Sequence, residues 1–306
     1  MKALYWQIRR EFWEHRALWI APLAIAGALL LATAIFGHIH FGFGNAQPPD
    51  TDNAPSQLFE IMQLGWSAPF YLTAVILVSA YLLDCLYAER RDRSILFWRS
   101  MPVSDERTVL VKLLVGLVIV PLGTFLLIAA TSLAGSAILV LRNHAMVING
   151  LDVPLWNTVS WLRMQGLMLY GLVAAVLWYA PFAAYLMLVS VWARRSPYAW
   201  ALIPPVLLVI FEHMVFGTNY SGQIVDGGFG ELMHLAYRLD DQSAVTVTLG
   251  NALPSTQVTG GGHIRLTSQL LSPLHLLASV RLWCGLAAAA LMTLLTIHLR
   301  RLRDDS

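Results

Sequence analysis

The sequence contains two lysines and nine histidines, which are the side chains that could bind phosphate or a metal ion. ATP hydrolysis by a P-loop needs a glycine-rich turn followed by a lysine that reaches the phosphates. Lys2 stands at the N-terminal end and Lys112 follows an apolar pair, so neither lysine belongs to such a turn. HExxH, GxSxG and GxGxxG patterns are also missing from the sequence. We therefore predict no catalytic residue and no bound cofactor in this chain.

The arrangement closest to a metal site is the pair His38 and His40, with Asp50 and Asp52 nearby. Its spacing matches no pattern of zinc ligands that coordination geometry would justify. Alternating polar residues are also common in loops. We therefore predict no metal site.

Segment 87–112 holds the most distinctive pattern of side chains. It alternates in charge from Glu89 to Arg93 and then turns apolar and aromatic. Pro102 ends a first short helix, because the residue before a proline is biased away from the helical conformation. Ser104 can cap a second helix that has acidic residues in its first turn. Exposed aromatics need lipid or a partner to cover them, which favours partner docking over a solvated connector. The apolar side chains concerned are Ile95, Phe97 and Trp98.

The composition of the chain is that of a membrane protein. Of its 306 residues, 57% are hydrophobic and 12% are charged, whereas an ordinary soluble domain has about 45–50% apolar and about 25% charged residues. The net charge of +2 is too small to suggest nucleic-acid binding. Cys85 and Cys284 both lie in apolar stretches, which leaves no disulfide framework. The first apolar run starts near Leu18 and is long enough to span, so we predict a retained helix and not a removed signal peptide.

Six stretches approach the roughly 20 apolar residues that a helix needs to cross the hydrocarbon layer. We therefore predict an all-α, polytopic integral membrane protein. Prolines fall inside or near the ends of several spans, where we expect kinks and not breaks; they are Pro121, Pro181, Pro204 and Pro205. The predicted spans are 18–36, 67–86, 109–134, 166–192, 198–216 and 276–299.

Basic residues are concentrated on one side of this arrangement. They cluster before the first span, between the second and third, after the fourth and after the sixth. The first outer loop, 38–66, has none. By the positive-inside rule, both termini are cytoplasmic. Residues 1–16 carry an apolar stripe of Leu4, Tyr5, Ile8 and Phe12, which predicts an amphipathic helix in the cytoplasmic interface, the alternative being a charged flank of the first span.

Charged side chains within spans are costly, which makes them candidates for function. Asp84 lies at the inner end of the second span. Glu212 and Arg281 fall at similar depth near the outer ends of the fifth and sixth spans, and we hypothesise that they form an ion pair there. The spans otherwise lack central ionisable groups, which argues against a proton relay or a charged filter.

The long outer segment 217–275 leaves two interpretations open. It is glycine-rich in the middle and apolar again near its end. It either folds partly back into the outer leaflet, where irregular backbone must be buried in protein or line water, or forms an ordinary loop.

A family resemblance rests on Glu89, Lys112 and the two runs between them, Arg-Ser-Ile-Leu-Phe-Trp at 93–98 and Ser-Met-Pro-Val-Ser at 100–104. These residues resemble the cytoplasmic loop of ABC-2 type exporter permeases. In that family an acidic residue, a short helix, a Ser-x-Pro-Val-Ser-like turn and a downstream lysine recur. The six spans, the N-terminal helix and the long last outer loop fit the same family, but only the loop is specific.

The resemblance implies a permease subunit of an ATP-binding cassette exporter in a bacterial inner membrane. In that family two permease copies, or a permease and its paralogue, pair, and each contacts a cytoplasmic ATPase subunit that binds ATP and magnesium. The loop after the second span, here 87–104, is the coupling element. The residues expected to couple to the ATPase are Glu89, Arg93, Ile95, Phe97, Trp98, Pro102 and Ser104.

Two other functions remain open on the sequence. One is a membrane-embedded enzyme acting on a lipid-linked substrate, although no recognisable motif supports it. The other is a membrane protein that regulates a partner without transport. The acids and histidine that the enzyme would use are Asp226, Asp240, Asp241 and His263.

Overall fold

The structure, a computed structural model, describes residues 2–36, 54–91, 104–141, 146–148, 151–153, 156–193, 196–218, 232 and 273–303. These residues are almost entirely helical. The elements in chain order are α1 (Lys2–Glu14), α2 (Ala17–Phe36), α3 (Ala54–Arg91), α4 (Asp105–Leu141), β1 (Met146–Ile148), β2 (Leu151–Val153), α5 (Thr158–Trp192), α6 (Pro197–Phe216), α7 (Pro273–Ala278) and α8 (Val280–Arg303).

Six helices in the described part of the chain are long and apolar enough to cross a membrane. They are α2, α3, α4, α5, α6 and α8, and each overlaps one of the six predicted spans. The prediction of a helical, multi-pass membrane protein is confirmed at this level.

Several helices are longer than the spans that hydropathy predicted. α3 begins at Ala54 and continues through Glu89 to Arg91, so Glu89 belongs to this helix and not to a separate short one. α5 begins at Thr158, because the Asn157 side chain accepts hydrogen bonds from the backbone N–H groups of Val159 and Ser160. Hydropathy locates the part of a helix that suits the hydrocarbon layer, whereas polar helix formers extend the helix beyond it.

Prolines do not end the helices in which they occur. α5 continues through Pro181, and α6 continues through Pro204 and Pro205. In α4 a π-helical segment, Val115–Ile119, directly precedes Pro121 near the start of the following α-helical part. Proline has no N–H to donate, so it interrupts the hydrogen bonding of the helix. The wider π-helical turn before Pro121 accommodates this interruption.

A short β-hairpin departs from the predicted all-α fold. β1 and β2 pair antiparallel, with Ile148 opposite Leu151. The sequence between the strands is Asn149-Gly150, which is the strongest short signal for a hairpin turn when apolar residues flank it. The hairpin was missed because its strands are only three residues each and lie between two much longer apolar stretches.

The helices form one bundle in which α5 packs along both α3 and α8, while α2 packs on α3 and α4. α1, the beginning of α4 and the end of α8 meet at one end of the bundle, which we call the terminal end. One apolar core lies there, around Leu82, Val109 and Met187. A second lies towards the opposite end, around Phe70 and Ile128.

The side chains that α1 buries only partly match the predicted apolar stripe. Ile8 and Phe12 pack against the core at the terminal end, as the apolar stripe predicts. Leu4 and Tyr5 are exposed, however, and Glu11 between Ile8 and Phe12 is buried. The prediction from apolar residues alone was incomplete, because a carboxylate that is paired with a buried cation can also lie on the face of the helix that packs against the protein.

Helix α6 is covered least by the rest of the bundle. It contacts α3 and α5, but Pro197 is its only buried residue. Most of its large apolar side chains are exposed, so they face lipid or another protein.

A close approach of α3 to α4 depends on Gly135. A Cβ atom at this position would overlap a ring carbon of the buried Trp66. We expect Gly135→Ala to destabilise the protein by about 1–3 kcal/mol, because the indole must shift in a packed interior. Gly123→Ala on the same helix is the control, since outside the neighbouring backbone of its own helix no atom lies within 4 Å of its Cβ position. Thermal unfolding of both detergent-solubilised variants measures the difference; equal midpoints would contradict the packing.

Candidate functional site

Four charged side chains from four helices meet at the terminal end of the bundle. The Lys112 ammonium of α4 lies 2.9 Å from Glu11 Oε1 of α1 and 3.2 Å from Glu89 Oε1 of α3. An Arg300 guanidinium nitrogen of α8 lies 3.1 Å from Glu89 Oε2. We call Glu11, Glu89, Lys112 and Arg300 the buried charge cluster.

All four residues of the buried charge cluster are withdrawn from water. Their exposed fractions are 0% for Lys112, 3% for Glu11, 5% for Glu89 and 8% for Arg300. Two positive and two negative charges balance, which is the condition under which charges are tolerated away from water. Removing one partner would leave an uncompensated charge, so the four helices are interdependent.

Further polar groups contact the cluster. The Tyr81 hydroxyl donates to Glu11 Oε2 over 2.9 Å. Arg300 Nε donates to Asp105 Oδ1 over 3.1 Å. Asp105 is in the first turn of α4, and Ser104 caps this helix by accepting a hydrogen bond from the Arg107 N–H, which confirms the predicted cap. The start of α4 is thereby tied to the end of α8.

The end of α3 is also fixed to the end of α5. The Ser190 hydroxyl accepts hydrogen bonds from the backbone N–H groups of Leu86 and Tyr87. Arg90 donates to the carbonyl oxygens of Ser190 and Ala193, where a cation suits the negative end of the helix dipole. Arg90 therefore caps the C-terminal end of α5.

Glu11 is ionised in this environment. Burial alone would raise its pKa, but the charge of Lys112 and hydrogen bonds from Lys112 and Tyr81 outweigh that effect and hold the pKa below the ordinary 4.5. The resulting stabilisation is therefore present above pH 4.5 and is lost as the pH falls below it.

Three of the described residues, Glu11, Glu14 and His15, place possible ligand atoms within 4.8 Å of one another. A metal cation at this point would lie beside the Lys112 ammonium, which already occupies both Glu11 oxygens at 2.9 and 3.0 Å. Like-charge repulsion disfavours such a site. The other histidines considered for metal binding, His38 and His40, lie outside the described residues.

The structure describes part of the predicted coupling element. Glu89 lies in the buried charge cluster and Ser104 caps α4, so both flanks of the element are fixed. The residues between them that were assigned to ATPase coupling lie outside the described residues; they are Arg93, Ile95, Phe97, Trp98 and Pro102.

The proposed pair at the opposite end remains a prediction. Glu212 Oε1 accepts a hydrogen bond from Thr218 over 3.0 Å. The Arg281 guanidinium lies 5.8 Å from the centre of the Trp178 ring. The candidate residues of the alternative enzyme, all within 219–272, lie outside the described residues, as does most of the segment 217–275.

Sequence reasoning missed Glu11 and the role of Arg300. Glu11 follows Ile8 by three residues and precedes Phe12, so it lies on the apolar face of its helix. Lys112 stands alone in the apolar run from Val109 to Val115. An acid and a lysine on apolar faces together indicate buried partners, but the sequence does not say which residues pair. No family model, curated protein or solved structure matches the chain.

Breaking the cluster should be more costly than removing a surface ion pair. We expect Lys112→Met to destabilise the protein by about 3–5 kcal/mol, because Glu11 and Glu89 lose their shared cation. Adding Glu11→Leu should recover part of this loss. Glu14→Gln is the matched control, since its pair with Arg10 is exposed and worth at most about 1 kcal/mol. Unfolding midpoints of these three variants and of wild type test this; equal effects of Lys112→Met and Glu14→Gln would contradict it.

His15 should make stability depend on pH. Burial lowers its pKa from 6.5, with Glu11 opposing this effect, and its ring contacts Tyr81 at 4.9 Å. The unfolded chain therefore takes up the proton first, and stability present above pH 6.5 is lost as the pH falls below it. We expect the unfolding midpoint to fall between about pH 7 and pH 5, and less steeply in His15→Phe. His213→Phe, at an exposed position, is the control. Parallel curves for His15→Phe and wild type would exclude this role.

Proposed function

We propose that the chain is the membrane-spanning subunit of an ATP-driven exporter of the ABC-2 type. The observation that carries the proposal is that both flanks of segment 92–103 end in, or next to, the buried charge cluster. Glu89 lies just before the segment, while Asp105 just after it binds Arg300. A force applied to this segment would therefore act on α1, α3, α4 and α8 together.

The partner in this proposal is a cytoplasmic ATPase subunit dimer, which binds the ATP and magnesium. The sequence of segment 92–103 supports docking, since it carries Ile95, Phe97 and Trp98 within a few residues. The distribution of basic residues supports a cytoplasmic position for both termini and for this segment. Arg90 and Arg300 both lie at the terminal end, in keeping with that distribution.

Coupling would proceed through rigid displacement of helices. ATP-driven closure of the ATPase dimer would move segment 92–103, and α3 and α4 would tilt with it. Because the charges of the cluster are stable only when paired, α1 and α8 would follow and not separate from them. The pathway would open at the interface with a second permease copy or a paralogue.

Helix α6 supports pairing with such a second subunit. Most of its large apolar side chains are exposed, and Pro197 is its only buried residue. Two prolines within it also weaken its internal hydrogen bonding, for which neighbouring helices normally compensate. A second subunit packed on α6 would supply those neighbours.

Copurification and coupled ATPase activity test the proposal. The tagged chain purified from its native membranes should retain an ATP-binding subunit. The ATPase activity of that subunit should differ between the complex and the isolated subunit. Replacing Phe97 and Trp98 together with alanine should abolish this difference, because the docking surface is lost, while membrane insertion is unchanged.

Trp283→Ala is the matched control, since Trp283 is an exposed tryptophan at the other end of α8. It should retain the partner and its activity. A purified chain that carries no ATP-binding subunit, or a double variant that behaves like Trp283→Ala, would count against the exporter and favour the enzyme or the regulator.

A further inference from the structure

One face of α1 carries two tryptophans with an arginine between them. The Arg9 guanidinium carbon lies 5.2 Å from the centre of the Trp6 ring and 5.5 Å from that of the Trp13 ring. The three residues follow one another at intervals of three and four, so they line one face of the helix. Both indoles are uncovered, with exposed fractions of 58% and 64%. We call Trp6, Arg9 and Trp13 the tryptophan–arginine face.

The tryptophan–arginine face points away from the bundle. The opposite face of α1 packs on the core at the terminal end with Ile8 and Phe12, and it places Glu11 in the buried charge cluster. Lys112, which binds Glu11, follows the first residue of α4, Asp105, by seven residues. The start of α4 therefore extends about 10 Å beyond this contact, at 1.5 Å per residue. α1 thus lies against the side of α4 and not over its end.

The connection between α1 and α2 places α1 at the surface of the hydrocarbon layer. α2 has 20 residues, Ala17–Phe36, and is therefore about 30 Å long, which is about the thickness of that layer. Its first residue must then lie at the edge of the layer. α1 ends at Glu14, three residues before α2 begins. Trp13 is thus close to the point where the span starts, and tryptophan is enriched at this depth because its amphipathic ring suits the headgroup region.

Arg9 carries a positive charge that no carboxylate in the described part of the chain pairs with. Its neighbour Arg10 differs, since it pairs with Glu14 and Glu89. The contacts of Arg9 with the two indoles do not use up its N–H donors, whose planar arrangement matches the oxygens of a phosphate. Arg16, between α1 and α2, is also exposed. The outward side of α1 therefore has a net positive charge.

We propose that the tryptophan–arginine face binds the headgroup of an anionic phospholipid in the leaflet on the terminal side. The phosphate accepts hydrogen bonds from Arg9, and the indoles of Trp6 and Trp13 lie among the headgroups on either side of it. Charge complementarity identifies the occupant, since an unpaired arginine at the membrane surface attracts anionic lipid. The two indoles keep the guanidinium in place between them. The site needs neither the ATPase nor a second subunit, so it does not depend on the exporter proposal.

Lipid titration of the purified full-length chain tests the site. Native mass spectrometry would measure the affinity for dioleoyl phosphatidylglycerol, with dioleoyl phosphatidylcholine as the neutral comparison. We expect wild type to prefer the anionic lipid. Arg9→Gln should weaken its binding about fivefold, as expected for one arginine near a membrane surface, and should leave binding of the neutral lipid unchanged. Arg107→Gln is the matched control, since it removes the same charge from another exposed arginine at the terminal end.

The indoles need their own pair of variants. Replacing Trp6 and Trp13 together with leucine keeps apolar side chains but removes the contacts with Arg9, so it should also weaken binding of phosphatidylglycerol. Trp283→Leu, at an exposed tryptophan near the other end of the bundle, should not. These side chains are exposed, so the unfolding midpoints should stay close to that of wild type.

Three results would overturn the proposal. One is binding of phosphatidylglycerol that is unchanged in Arg9→Gln, including the case in which this variant instead loses a copurifying protein. Another is an equal loss in Arg107→Gln, since the lipid would then respond only to the general charge of the terminal end. The third is unchanged binding in the double tryptophan variant. Loss in Arg9→Gln and in the double variant, with both controls like wild type, would establish the site.

Discussion

Lys112 is fully buried, so its ammonium group needs carboxylates beside it in the folded protein. Glu11 and Glu89 supply them from two other helices, and Arg300 then balances the second acid from a fourth. An ion in a low-dielectric interior costs several kcal/mol unless it is paired, so each of these charges fixes the position of the others. The packing of α1, α3, α4 and α8 at the terminal end depends on this one requirement.

Because buried charges must be paired, the helices are held together differently at the terminal end than in the rest of the bundle. Apolar side chains can slide past one another at little cost in lipid, because hydrocarbon is equally apolar. Charge pairs cannot, since a shift of a few ångströms exposes each ion to an apolar neighbour. The buried charge cluster therefore fixes the relative positions of its four helices, whereas α6 buries only Pro197.

Particular elements show how far sequence reasoning reached. All six apolar helices follow from hydropathy, because a run of about 20 apolar residues has few other stable environments. The ends of α3 and α5 did not follow, since helices continue beyond the hydrocarbon on polar residues and caps such as Asn157. The hairpin at 146–153 carried a turn signal, but its strands were too short to stand out between two spans.

The candidate site divides in the same way. The sequence by itself determined that Lys112 lies in an apolar run, that Ser104 caps the following helix and that Phe97 and Trp98 lie in the segment between α3 and α4. Only the tertiary structure decided that Lys112 meets Glu11, a hundred residues away, and that Arg300 near the C-terminus closes the cluster. Periodicity and local chemistry are properties of neighbouring residues, whereas the pairing of buried charges depends on which helix faces pack together.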